Sequence, residues 1–215
     1  MNTPRTLALA LVLSGTLVGL SGCFPLVAGG MVGGAMVVSD RRTTGTVIED
    51  EAIELKAATR IRDNLGERGH VNVTSYSRQV LLTGEVPSAQ DKQLVEKLVS
   101  GVENVSKIIN ELAVMGNSSL TQRSSDALIT SKAKANLLDA KDLPANAFKV
   151  VTERGTTYLL GRVTQREANR GTDIVRATSG VQRVVRVLEI LTEEELARMQ
   201  PKPPASGSTP AQTSR

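Results

Sequence analysis

The sequence predicts an α+β protein in which one α-β-β-α-β unit is used twice, each copy a three-stranded mixed sheet packed against two helices. An apolar strand motif recurs. Val80-Leu81-Leu82-Thr83-Gly84-Glu85-Val86 is answered by Thr157-Tyr158-Leu159-Leu160-Gly161-Arg162-Val163, with the two glycines 77 residues apart. Each motif is followed by a hydroxyl residue with an acid three positions on, Ser88 with Asp91 and Thr164 with Glu167, the spacing of a helix N-terminus at which the hydroxyl accepts from one orphan N–H and the carboxylate from another. Within each copy the apolar period also switches from about four residues to two.

Taken in order, Ile53, Ala57, Ile61 and Leu65 step by four and form a helical stripe that Gly66 and Gly69 stop. Val71-Asn72-Val73-Thr74 alternates and Val80-Leu81-Leu82 is a run of strand formers, so the polar residues 75–79 suit a hairpin turn. A helix starting at Ser88 buries Leu94, Val95, Leu98 and Val99, and a left-handed glycine, Gly101 here and Gly180 in the second copy, is expected to end it. A closing strand is expected over residues 105–114. In the second copy, residues 129–138 answer 53–65. Gly180-Val181-Gln182-Arg183-Val184 answers Gly101-Val102-Glu103-Asn104-Val105 at an offset of 79, which reads as two extra residues, and the closing strand covers 184–191. Gly84 and Gly161 suit a bend or a close backbone approach, since no glycine-rich phosphate motif surrounds them.

The flanks differ in kind. Arg5, an apolar run over residues 7–20 and Leu20-Ser21-Gly22-Cys23 have the form of a lipoprotein signal peptide, too short for a membrane span. Small residues before a cysteine suit both signal cleavage and thiol acylation, so Cys23 is the expected lipid-attachment site; an ordinary secreted protein with a stray thiol is the alternative. Several acyl chains, palmitate among them, would anchor the protein stably. Phe24 follows, where an Asp would favour inner-membrane retention, so the outer membrane is expected. The expected organisation is a signal peptide over 1–22, an acylated Gly-rich tether over 23–45, domains over 46–116 and 117–192, and a short helix with a disordered tail over 193–215. Glu193-Glu194-Glu195 after Thr192 starts that helix.

Composition narrows function. Lys and Arg total 26 against 22 Asp and Glu, aromatics are 2% and Trp is absent, so no nucleic acid is expected as a partner. One Cys and one His remove disulfide frameworks, Cys/His metal clusters and His-centred triads within a chain. No enzyme, cofactor, catalytic set or metal site is expected. His70 reads as a surface loop residue, and Tyr76, Tyr158 and Phe148 as packing against the sheets. Charge is divided between the copies: residues 46–116 carry 8 basic and 11 acidic side chains, and residues 119–192 carry 12 and 7. The second copy is the one an anionic bilayer would attract.

The doubled unit with Leu-Leu-x-Gly-x-Val and Gly-Val-x-x-Val behind a lipobox, with Asp40-Arg41-Arg42-Thr43-Thr44-Gly45-Thr46 ahead of the first copy and Val163-Thr164-Gln165-Arg166-Glu167-Ala168 in the second, resembles the dual BON-domain lipoproteins. That resemblance implies a non-catalytic, periplasm-facing outer-membrane lipoprotein. It further implies a role in keeping the membrane intact, binding of anionic phospholipid through the second domain, gathering at division sites and a link to the barrel-assembly machinery. It places the lipid-facing element on residues 125–135, with Ser125, Asp126, Leu128, Ile129, Ser131, Lys132 and Lys134 as site residues. Leu128 would enter the lipid, and Lys132 and Lys134 would meet phosphates. A relative carries Trp where this chain has Leu128; leucine keeps the apolar insertion and lacks the interfacial ring. The bland alternative makes Ile129, Ala133 and Leu137 a core stripe and the lysines a solvated face. A second function class, a non-enzymatic adaptor docking on envelope proteins, stays open.

Overall fold

The structure, a computed structural model, describes residues 40–144 and 146–199. Cys23, the tether up to residue 39 and the tail from residue 200 lie outside the described residues.

The first copy opens with α1 (Thr44–Leu65), where the Thr43 hydroxyl accepts from the Thr46 N–H. It ends at Gly66, whose φ of +59° suits a residue without Cβ and whose N–H returns to the Arg62 carbonyl. The helix begins nine residues ahead of Ile53. Strands β1 (His70–Tyr76) and β2 (Gln79–Val86) pair antiparallel. Their turn puts both Ser77 (φ +51°) and Arg78 (φ +65°) in the left-handed region, as a type I′ turn requires, although neither is Gly. Helix α2 (Ala89–Ser100) starts at Ser88. The last strand comes in two pieces, β3 (Lys107–Asn110) and β4 (Ala113–Val114), both parallel to β2. Between them Leu112 turns into the core.

The second copy repeats this with α3 (Leu120–Asp139), β5 (Lys149–Glu153), β6 (Thr156–Thr164), α4 (Gln165–Arg176) and β7 (Arg183–Leu191). The sheet order is β5-β6-β7, with β5 antiparallel and β7 parallel to β6. Helix α5 (Glu193–Met199) follows, with Thr192 and Glu195 exchanging backbone and side-chain hydrogen bonds at its start. The result is five helices and two mixed sheets among the described residues, an α+β fold.

Three sequence expectations need correction. Gly101 ends α2 with right-handed geometry (φ −84°), so it is no left-handed stop. The positive φ comes three residues later at Asn104 (+67°), and its structural counterpart is Gly180 (+98°). Gly101 therefore corresponds to Ala177, the cap residue of α4, at an offset of 76, and the two extra residues inferred from Gly-Val-x-x-Val vanish. Finally, only the second copy forms a complete capping box. There the Glu167 carboxylate accepts from the Thr164 N–H at 2.9 Å. Asp91, one methylene shorter, accepts from the Ser88 hydroxyl and from Arg68.

Gly84 and Gly161 do serve close approach. A Cβ on Gly84 would stand 2.0 Å from the His70 carbonyl oxygen, and one on Gly161 would stand 2.5 Å from that of Ala147.

Each copy has its own core. Ile53, Ala57, Ile61 and Leu65 of α1 meet Val80, Leu82, Val95, Val99 and Leu112 in the first. In the second, Ala133 and Leu137 meet Val150, Leu159 and Val175. The strands alternate, however, and their other faces are apolar too. Tyr76 and Leu81 from the first sheet pack with Tyr158 and Leu160 from the second, flanked by Ile109, Val185 and Val187. The two sheets thus bury their helix-free faces against each other. Burial in this seam raises the phenol pKa of Tyr158 to about 12, with Glu111 adding to the rise.

Candidate functional site

Helix α3 carries the candidate site, and its two faces differ in chemistry. Residues Asp126, Ile129, Ala133 and Leu137 recur at three- and four-residue steps and are buried. The opposite face presents Ser125, Leu128, Ser131, Lys132 and Lys134 to solvent. Leu128 is 63% exposed, and Leu120 and Leu138 on the same helix are also exposed large apolar residues. Lys132 stands one turn from Leu128, so an apolar tip and an ammonium share one side. The Ser131 hydroxyl donates to the Ala127 carbonyl at 2.9 Å. Lys134 lines a cavity of about 330 Å³ with Leu137, Leu138 and Phe148.

Two of the seven expected site residues point inward. Ile129 is 8% exposed and belongs to the buried stripe. Asp126 is 3% exposed, and its carboxylate accepts from the Arg154 and Gly155 N–H groups, each at 2.9 Å. Those are the two central residues of the β5–β6 turn, both with positive φ. Asp50 has the same place in the first copy: it accepts from the Ser77 and Arg78 N–H groups at 2.8 Å and from the Ser75 hydroxyl at 2.7 Å. A helix carboxylate thus holds each hairpin turn, which explains how Ser77 and Arg78 tolerate left-handed backbone. The recurrence of Asp50 and Asp126 76 residues apart was the available sequence signal.

The segment ahead of α1 contributes residues that the motif comparison did not explain. Arg41 reaches the second copy with a bidentate pair to Glu167, Nη1 to Oε2 at 2.7 Å and Nη2 to Oε1 at 2.8 Å, and it donates to the Arg162 carbonyl. Arg42 turns to the first copy, donating to Asp50 and to Asp40 and lying 4.3 Å from the centre of the Tyr76 ring. Burial raises the Glu167 pKa, but hydrogen bonds from Arg41 and the Thr164 N–H outweigh it and leave the carboxyl below its ordinary range.

His70 is likewise no loop residue. It opens β1 directly opposite Glu85 on β2 and is half-buried beside the seam. Across the seam, Asn72 donates to Glu153 at 2.8 Å, and Lys149 pairs with Glu54 at 2.7 Å. Among the described residues no helix is long and apolar enough to cross a membrane.

Comparison with known proteins agrees with this architecture. Residues 49–116 and 125–192 each match the BON domain family. The chain is 38% identical over 182 residues, 84% of its length and 94% of the relative's, to the outer membrane lipoprotein DolP of Haemophilus influenzae. It is 31% identical to a 21 kDa hemolysin of Actinobacillus pleuropneumoniae, covering 69% of this chain and 78% of that one. It is also 31% identical to the osmotically-inducible protein Y of Escherichia coli, covering 70% and 77%. With two matched repeats, each folded as α-β-β-α-β, this chain belongs to the BON-domain family and is a DolP-like protein with two such domains.

Proposed function

We propose that this chain is an outer-membrane lipoprotein, acylated at Cys23 and facing the periplasm, that binds anionic phospholipid through the second BON domain and supports outer-membrane integrity at division sites. The observation that carries the reading is the solvent face of α3, where exposed Leu128 stands beside Lys132 on the basic half of the chain. Neither Lys132 nor Lys134 has an ion-pair partner among the described residues, so both ammoniums are available to phosphate. Each basic group near an anionic surface contributes about 1 kcal/mol, and salt weakens it. Ser125 and Ser131 flank this face as polar contacts. Asp126 and Ile129 support it from beneath, holding the hairpin and the helix packing.

Flotation of residues 24–215 with phospholipid vesicles tests the reading, because omitting Cys23 removes the acyl anchor. The chain is expected to float with anionic vesicles and to remain behind with neutral ones. Leu128→Glu combined with Lys132→Glu is expected to weaken binding by tenfold or more. Failure of the unaltered chain to float would overturn the lipid-binding part.

A second reading, a non-enzymatic adaptor for envelope proteins such as the barrel-assembly machinery, draws on α1. There Ile48 and Leu55, 62% and 69% exposed, are unpartnered large apolar side chains on the acidic domain. Charge reversal on α3 would leave that activity intact.

A further inference from the structure

The seam between the two sheets holds a cluster of ligand-bearing side chains that the lipid-facing helix does not use. His70 and Glu85 are cross-strand neighbours in the first domain, and Glu153 ends β5 of the second. One ligand atom from each lies within 4.8 Å of the others. Glu85 is fully buried and Glu153 is 7% exposed. The His70 Nδ1 atom is itself buried, has no hydrogen-bond partner, and stands 3.3 Å from Glu85 Oε2.

We propose that His70 Nδ1, Glu85 and Glu153 bind one divalent cation of the zinc class, which would join the two BON domains. Charge is the first argument. Two carboxylates are withdrawn from water here; Arg154, 41% exposed, meets only Glu85, its Nη1 3.4 Å from Oε1, and Glu153 accepts from the neutral Asn72 amide. Buried carboxylates are costly unless a cation meets them closely. Spacing is the second. Ligands about 2.1 Å from a tetrahedral ion stand about 3.4 Å apart, the separation already present between His70 Nδ1 and Glu85 Oε2. Glu153 completes the set through movement within its side-chain torsions.

Both carboxylates also have the outer support typical of metal ligands. Asn72 donates to Glu153 Oε2, and the Ser118 N–H donates to Glu85 Oε2 from the segment joining the domains. Access is available through a cavity of about 500 Å³ that His70, Asn72 and Glu153 line with Arg123, Asp126 and Thr130. One nitrogen and two carboxylate oxygens suit zinc-class ions, with water as a fourth ligand.

Because His70 is the chain's single histidine, the test is direct. Zinc is titrated into untagged residues 24–215, followed by calorimetry and by long-range proton–nitrogen NMR of the one imidazole. One equivalent is expected to bind, to move the Nδ1 resonance, to leave Nε2 protonated and to raise the unfolding temperature until a chelator is added. Glu153→Gln, which retains an acceptor for Asn72, and His70→Ala are each expected to lower affinity by tenfold or more while their circular dichroism stays unchanged. Zinc affinity in either variant equal to that of the unaltered chain would overturn the proposal. So would stabilisation on acidification with no response to zinc, since the imidazolium alone would then be the cation that the carboxylates meet.

Discussion

At the scale of single residues, the carboxylates of Asp50 and Asp126 do the most specific structural work. Each accepts two successive turn N–H groups in a buried setting, and hydrogen bonds to a charged acceptor contribute about 1.5–3 kcal/mol apiece. Asp126→Ala is therefore expected to lower unfolding free energy by about 3 kcal/mol in urea titrations. Asp126→Asn, which keeps part of the bonding, should cost less and leave vesicle flotation unchanged, because the group points away from the side proposed to meet lipid. Gly84 makes a second residue-scale prediction. Its φ of +108° and the carbonyl 2.0 Å from a would-be Cβ mean that Gly84→Ala costs about 3 kcal/mol, read as a lower urea midpoint. These two positions were unequally legible. The glycine announced itself by recurring after an apolar strand, whereas Asp126, read from the resemblance, was assigned to the membrane. An aspartate on a helix looks solvent-facing until its partner turn is located, and that turn lies 28 residues away.

At the scale of elements, helices and strands followed from apolar period, and the starts of α2 and α4 from hydroxyl-to-acid spacing, whereas α1 and α3, capped by Thr43 and Ser119 with no acid in the first turn, begin nine residues ahead of Ile53 and Ile129. The register at the end of α2 did not, because Gly-Val-x-x-Val matches by letter while the backbone matches Asn104 to Gly180. A left-handed position accepts either Asn or Gly, so identity alone misaligned the copies. Helix α3 carries the element-scale prediction. The chain has no Trp, so Leu128→Trp places a single reporter at 63% exposure. Indole favours the membrane interface over leucine, and the variant is expected to float more completely with anionic vesicles and to shift its fluorescence to shorter wavelength on binding. Unchanged emission would mean that this face stays in water.

At the scale of the whole molecule, the shared apolar seam makes the two domains interdependent. Its signal was present in consecutive apolar residues, Leu81-Leu82 and Leu159-Leu160, since strands buried on both faces lose their alternation. What sequence reading lacked was the identity of the second layer, which only the packing of one sheet on the other reveals. Arg41 extends the dependence. Arg41→Ala leaves Glu167 buried without its cation and is expected to cost about 3 kcal/mol in urea unfolding. The sign of the pH effect follows from the depressed Glu167 pKa. Its stabilisation is complete above the ordinary glutamate range and is lost as pH falls through the lower folded value. Urea midpoints compared between about pH 5.5 and about pH 3.5 should therefore fall less for Glu167→Gln than for the unaltered chain. The adjacent arginines also carry a mechanical meaning. Tension arriving from the proposed N-terminal anchor would enter the described fold at Asp40 and divide at once, through Arg41 into Glu167 and through Arg42 into Asp50. With that anchor, pulling force would be handed to both domains in parallel before it reached the first turn of α1, and shear would load the pair together instead of peeling one domain from the other.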